Sequence, residues 1–191
     1  MKVKGMCGKL NDQYNTLFLD RDGVINRHLP DDYVKNWEEF EFLPGVLDAL
    51  VLLSDIFQHI VVVTNQRGVG KGLMTENDLN TIHETMLSVI QKNGGRIDKI
   101  YYCTDLENES INRKPNSGMA NQAKKDFPGI DFEKSIMVGD STSDIEFGNR
   151  LGMKTILIKQ TSFPNNLLCF AHSLLKSEKQ QLENRNNDNS F

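Results

Sequence analysis

The sequence predicts an α/β fold, a doubly wound parallel sheet with helices on both faces and only a minimal cap loop. Three observations predict it. Short apolar runs without charge recur along the chain (Thr16–Leu19, Ile60–Val63, Ser135–Val138), as in strands buried on both faces. Stretches with helical spacing of apolar residues lie between them, which implies right-handed βαβ crossovers and parallel strands. Each run ends in a cluster of polar residues, and in open α/β sheets the C-terminal edge of the strands is where ligands bind.

Length and charge bound the rest. A chain of 191 residues suffices for one well-packed domain with a small insertion and hardly for two. We expect a single domain over 1–175 and a disordered tail over 176–191, which is rich in Asn, Gln and charge. The net charge of −4 leaves no basic footprint for nucleic acid or an anionic membrane. No apolar run approaches a membrane span and no signal-peptide core is visible, so a cytoplasmic location is expected. Cys7, Cys103 and Cys169 form neither a disulfide framework nor a zinc pattern.

Residues 1–15 read as a loose polar arm on which Leu10 and Tyr14 can pack. The first strand, Thr16–Leu19, ends abruptly in Asp20-Arg21-Asp22-Gly23. Two carboxylates two residues apart repel unless a cation lies between them, so the pair suggests a hard metal ion with oxygen ligands; otherwise it is an acidic turn. Gly23 lets the chain turn sharply. Val24–Pro44 has no periodicity; it is too short for a cap domain and long enough for a loop or small flap. Trp37 is expected to anchor its packing, and His28 either meets substrate or is solvated. A helix opens at Pro44-Gly45, with Val46, Leu47, Leu50, Leu53 and Ile56 or Phe57 on its apolar face.

The second strand, Ile60–Val63, is β-branched throughout. It runs into Thr64-Asn65-Gln66-Arg67-Gly68 and Val69-Gly70-Lys71-Gly72, which read either as an anion cradle or as a flexible loop. Thr75 is placed to cap the next helix, with Asp78 as the returning side chain of a capping box. Leu79, Ile82, Met86, Val89 and Ile90 form its stripe, and Asn93-Gly94-Gly95 stops it. His83 on this helix is expected away from the strand edges, structural or exposed. A third strand over Ile97–Cys103 leads through a polar loop, Thr104–Asn112, to Arg113-Lys114-Pro115. After a helix over Gly118–Phe127, the fourth strand delivers Gly139-Asp140, with Asp144 at the start of the following helix. Ile145, Phe147 and Leu151 are that helix's apolar side, and Thr155–Ile158 is a fifth strand.

Gathered at one sheet edge, these ends hold carboxylates for a cation, a Thr/Asn cradle and a lysine. That is an inventory for Mg2+-assisted phosphoryl transfer, which needs charge neutralisation, positioning and a nucleophile. From Thr16 to Ile158 the order and content resemble the haloacid dehalogenase (HAD) superfamily. The strings FLDRDGVIN, VVTNQRGVGKG, RKPNSGM and MVGDSTSD are similar to its branch of histidinol-phosphate and heptose-bisphosphate phosphatases.

The resemblance implies a role for each motif residue. Asp20 is the nucleophile that becomes an aspartyl phosphate, and Asp22 the general acid and then base. Thr64 and Lys114 hold the phosphoryl oxygens. Mg2+ is bound by Asp20, the Asp22 backbone carbonyl and Asp140, with Asp144 in support. Asn65, Gln66, Arg67, Arg113 and Ser141 are expected at the substrate. The substrate is a small phosphorylated metabolite such as heptose 1,7-bisphosphate, with histidinol phosphate as the alternative and a signalling module without turnover as a more distant one. No nucleic-acid or membrane partner is implied, and a monomer is expected. Two departures stand out. Many members carry a zinc loop of three cysteines and a histidine before the RKP segment, where this chain reads CTDLENESINRKP. Ser141 also stands where many have lysine.

Overall fold

Residue alternation along the central strand sets the architecture. In β1 (Thr16–Leu19), Leu17 and Leu19 point to one face of the sheet and Phe18 to the other, and all three are fully buried. Burying each contributes about 1.5–3 kcal/mol. The structure, a computed structural model, describes residues 13–159 and 166–188, of which 178–188 as backbone alone. Four further strands join β1: β2 (His59–Asn65), β3 (Lys99–Cys103), β4 (Ser135–Gly139) and β5 (Lys154–Leu157). They form one parallel sheet in the order β3-β2-β1-β4-β5. Phe18 is level with Val61 on one side and Met137 on the other, so the ends of β1 and β4 emerge together.

The helices cover both faces. Leu17, Leu19, Ile60 and Val62 share a core with α1 (Val46–Ile56), α3 (Glu76–Lys92) and α6 (Leu167–Asp188). Phe18, Val61, Val63 and Met137 pack against α4 (Gly118–Asp126) and α5 (Thr142–Arg150). No helix among the described residues is long and apolar enough to cross a membrane.

Several boundaries differ from the sequence expectation, each for a local reason. The second strand continues through Thr64 and Asn65, because their backbones pair with Tyr102 and Cys103 although their side chains are polar. The third begins only at Lys99; before it, the Asp98 carboxylate accepts from Ile60 N at 2.7 Å in place of a ladder carbonyl. The fifth covers Lys154–Leu157. The glycine-rich stretch after Gln66 is not an open loop but one helical turn, α2 (Arg67–Gly70), closed by Lys71 N donating to the Arg67 carbonyl at 2.9 Å.

The flap is better ordered than its lack of periodicity suggests. Trp37 stacks on Phe40 at 4.8 Å and meets the edge of Phe42, a packing anchor as expected. Leu43 N donates to the Ile25 carbonyl and Arg27 N to the Glu41 carbonyl, which closes the base of the flap. Tyr14 packs on the core, whereas Leu10, Cys7 and the rest of the arm up to residue 12 lie outside the described residues. Through the stretch read as a tail, the backbone of α6 stays helical to Asp188, in a segment rich in Lys, Glu and Gln, which favour helix. Residues 189–191 of that stretch lie outside the described residues.

Candidate active site

The strand order reverses beside β1: β2 and β3 lie to one side, β4 and β5 to the other. A crevice forms at such a switch point, outside the carboxyl ends of the strands. Here it is a cleft of about 170 Å³ lined by Asp20, Asp22, Thr64, Asn65, Gln66, Lys114, Asp140 and Ser141, with His28, Leu29, Asp32, Tyr33 and Val34 of the flap above.

Lys114 is the hub of its floor. Its ammonium is buried, 2.9 Å from Asp20 Oδ1 and 2.6 Å from Asp144 Oδ1. Burial alone would depress it, but the Asp144 and Asp20 charges outweigh that and hold Lys114 above its ordinary value. Its backbone is fixed from β2: Lys114 N donates to Asn65 Oδ1 at 3.0 Å, and Asn65 Nδ2 donates to the Lys114 carbonyl at 3.2 Å. Behind the lysine, the fully buried Asp144 accepts from the Ser141 hydroxyl at 2.7 Å and the Ser141 N–H at 3.1 Å. Burial opposes its charge, and Lys114 and Ser141 overcome that, so its carboxyl stays below the ordinary range.

Asp20 is different. Burial, then the neighbouring Asp144 charge, pushes it up to about 7 in spite of Lys114. A group so placed calls for a further cation. Carboxylate oxygens of Asp20, Asp140 and Asp144 all lie within 4.8 Å of one another, the spacing that a small cation with oxygen ligands at about 2.1 Å requires. The Asp140 carboxylate approaches so close that a Cβ on Gly23 would meet its Oδ2 at 1.8 Å, and Gly23 has φ +85°. Gly139 is equally tight against Asp144. Only glycine fits at either place, and the carboxylates that crowd there form an all-oxygen donor set that fits a hard divalent ion.

Asp22, partly buried, is held by four hydrogen bonds. Arg21 Nη2 donates to both its oxygens at 2.8 and 2.9 Å, Asn26 Nδ2 to Oδ1 at 2.9 Å and Gln66 Nε2 to Oδ2 at 2.7 Å. Burial works against the charge, but the Arg21 guanidinium and these bonds prevail and hold Asp22 below the usual carboxylate range. Gln66 also donates to Thr64 Oγ1 at 2.9 Å.

The sequence-predicted residues therefore divide. Asp20, Asp22, Thr64, Asn65, Gln66, Lys114, Asp140 and Ser141 converge on one cleft, while Asp144 lies behind it. Arg67 does not line it. Its guanidinium donates to the Leu106 carbonyl at 2.7 Å and Asn108 Oδ1 at 2.8 Å, because the turn of α2 carries it toward the 104–112 loop. Arg113 lies on that side too, with Nη1 donating to the Asp105 carbonyl at 3.5 Å. Cys103, Asp105, Ser110 and Asn116 tie the loop together by hydrogen bonds.

Sequence reasoning missed two residues, Arg21 and His83. His83 is not away from the strand edges: it is buried, and its Nε2 lies 3.2 Å from Arg21 Nη1. The signal was present in the spacing, since Leu79, His83, Met86 and Ile90 fall on one helical stripe.

Comparison with known proteins bears on this cleft. A family model described as HAD-hydrolase-like matches residues 111–168. The D-glycero-alpha-D-manno-heptose-1,7-bisphosphate 7-phosphatase of Mycobacterium bovis is 43% identical over 136 residues, covering 71% of this chain and 72% of its own. The enzyme of the same name from Burkholderia mallei is 41% identical over 150 residues, 74% of this chain and 78% of its own. Among solved structures, the D,D-heptose 1.7-bisphosphate phosphatase from B. bronchiseptica, complexed with magnesium and phosphate, superposes with a TM-score of 0.77 at 29% identity. That match covers 85% of this chain and 99% of the other.

Proposed function

This chain belongs to the HAD-like phosphatases, in the branch of the heptose-bisphosphate phosphatases, and from that premise we propose that it removes the 7-phosphate of a heptose 1,7-bisphosphate. The observation that carries the reading is Lys114, held between Asp20 and Asp144 in a small acidic cleft that Thr64 also lines. Asp20 attacks phosphorus as the bond to the sugar oxygen breaks, and Asp22, which takes up a proton once the phosphoryl charge beside it raises its pKa, gives that oxygen the proton. Water then attacks the aspartyl phosphate, the Asp22 carboxylate takes its proton, and inorganic phosphate leaves with Asp20 regenerated. Lys114 and Thr64 hold the phosphoryl oxygens and stabilise their growing charge. Asp20, Asp140 and the Asp22 carbonyl would hold Mg2+, which supplies charge neutralisation for the approaching phosphate.

Asn65 and Gln66 serve this reading less as substrate contacts than as struts: one fixes the backbone of Lys114, the other ties Thr64 to Asp22. Asp144 and Ser141 set the lysine's position. A cleft of about 170 Å³ takes a phosphoryl group and a few carbons and is small beside pockets that enclose whole ligands. The rest of the sugar then lies at the rim, within reach of Arg113, while Arg67 braces the loop. This reading needs only a monomer, because every group it uses comes from one copy.

Turnover of a panel tests the reading: heptose 1,7-bisphosphate, histidinol phosphate and p-nitrophenyl phosphate, with 31P NMR to identify the phosphate released. The heptose should be preferred in kcat/KM by at least about tenfold, the scale a few polar contacts provide. Preference for histidinol phosphate would overturn the substrate, and failure to hydrolyse any of them would overturn the activity.

A further inference from the structure

We propose that His83 is a positioning residue for the reaction: it fixes the Arg21 guanidinium, which in turn aims the Asp22 carboxyl at the leaving oxygen. The inference rests on the reading of Asp22 as the acid–base group.

Among the described residues Arg21 is the largest fully buried side chain, yet its guanidinium is only partly satisfied. Nη2 reaches Asp22, Nη1 reaches His83 at 3.2 Å, and Nε has no partner among the described residues. A buried ion pair is weak evidence of a stabilising role, because the cost of burying the charges can exceed what their attraction returns. What the arrangement does provide is direction. Nη2 spans both oxygens of Asp22 and so centres the carboxylate on that one nitrogen, but only if the guanidinium itself cannot swing. Arg21 follows directly on the nucleophile, and its backbone N–H donates to Asp20 Oδ1 at 2.7 Å, so one end of the residue is anchored. The imidazole anchors the other.

The geometry also fixes the state of that imidazole. A guanidinium has no lone pair to offer, so Nε2 must be the unprotonated nitrogen and accept. Burial and the Arg21 charge, against the weaker pull of Asp22, bring His83 down to about 3, which keeps it neutral and accepting. The ring is held in turn by Tyr102, 5.7 Å away between centroids, whose hydroxyl donates to Glu76 Oε1 at 2.7 Å. A line of contacts therefore runs from the first turn of α3 to the acid–base group, across 62 positions of sequence at the His83–Arg21 step.

Leaving-group dependence separates positioning from packing. Phenyl phosphate and p-nitrophenyl phosphate differ chiefly in how much their oxygen needs a proton to depart. His83→Leu should lower kcat/KM on phenyl phosphate by about 10- to 100-fold, the scale of a displaced general acid, and on p-nitrophenyl phosphate by less than about threefold. His83→Gln, whose amide oxygen can accept from Arg21, should recover most of the loss. Equal losses on both substrates, or no recovery with Gln, would make His83 a packing residue and overturn the proposal. Arg21→Lys keeps the charge but cannot span both partners; it gives the same comparison if His83→Leu does not fold, and equal losses there overturn the proposal too. Asp22→Asn run in parallel should show the strongest leaving-group dependence. If it shows none, the acid–base reading of Asp22 fails, and this inference with it.

Discussion

Asp20 meets two demands that oppose each other. To attack phosphorus it must be ionised, yet burial and Asp144 push its pKa to about 7. A raised value means that the folded, metal-free protein holds this proton more tightly than the unfolded chain does. The resulting stability is complete below about pH 4 and lost as pH rises through about 7. A divalent ion displaces the proton and removes the penalty. Mg2+ should therefore raise Tm little near pH 5 and most above about pH 7, with proton release on binding in calorimetry near neutral pH. An equal gain at both ends would mean that the ion does not meet Asp20. Asp20→Asn keeps the size and removes the charge; turnover should fall by about 10⁴- to 10⁶-fold, with no acid-stable phosphoenzyme after quenching. Retention of a tenth of the activity would refute the covalent route.

At the scale of elements, two helix starts use the same local chemistry for different ends. Thr75 and Asp78 close a capping box on α3: Asp78 N donates to Thr75 Oγ1 at 3.1 Å and Thr75 N to Asp78 Oδ2 at 2.9 Å. At α5, Asp144 takes up Ser141 in the same way while its other oxygen holds Lys114. Thr75→Ala should cost about 1 kcal/mol in denaturant unfolding and leave kcat unchanged. Ser141→Ala should cost stability on the same scale and also lower kcat, because Asp144 loses a bond that fixes the lysine. If both variants kept full kcat, Asp144 would not depend on Ser141 for its position. The α3 cap was legible in the sequence since it is complete within four residues. The function of the α5 start was not, as it depends on a lysine 30 positions away.

The whole molecule brings five parallel strands to a common edge and builds the cleft at the reversal beside β1. Asp20, Thr64, Lys114 and Asp140 come from four segments of one chain, and the flap that covers them is pinned by Trp37 and Phe40. Specific activity should therefore stay constant over about a hundredfold dilution, where a site shared between copies would lose activity by mass action. A fall on dilution, matched by dissociation in sedimentation, would overturn the proposal of a monomer.

What the sequence determined by itself was the alternation of strands and helices, the polar strand ends and the identity of the acidic and basic groups. These follow from periodicity and propensity over a few residues, and the motif strings lie in uninterrupted segments. The tertiary structure decided how those groups use one another. Gln66 reaches Asp22 across 44 positions, Asn65 reaches Lys114 across 49, and Arg21 reaches His83 across 62. Arg67, identical in type to a substrate contact, turns instead to the 104–112 loop because one helical turn follows β2. Such pairings depend on strand register and helix packing, which are settled only when the sheet assembles, so no local pattern in the chain could announce them.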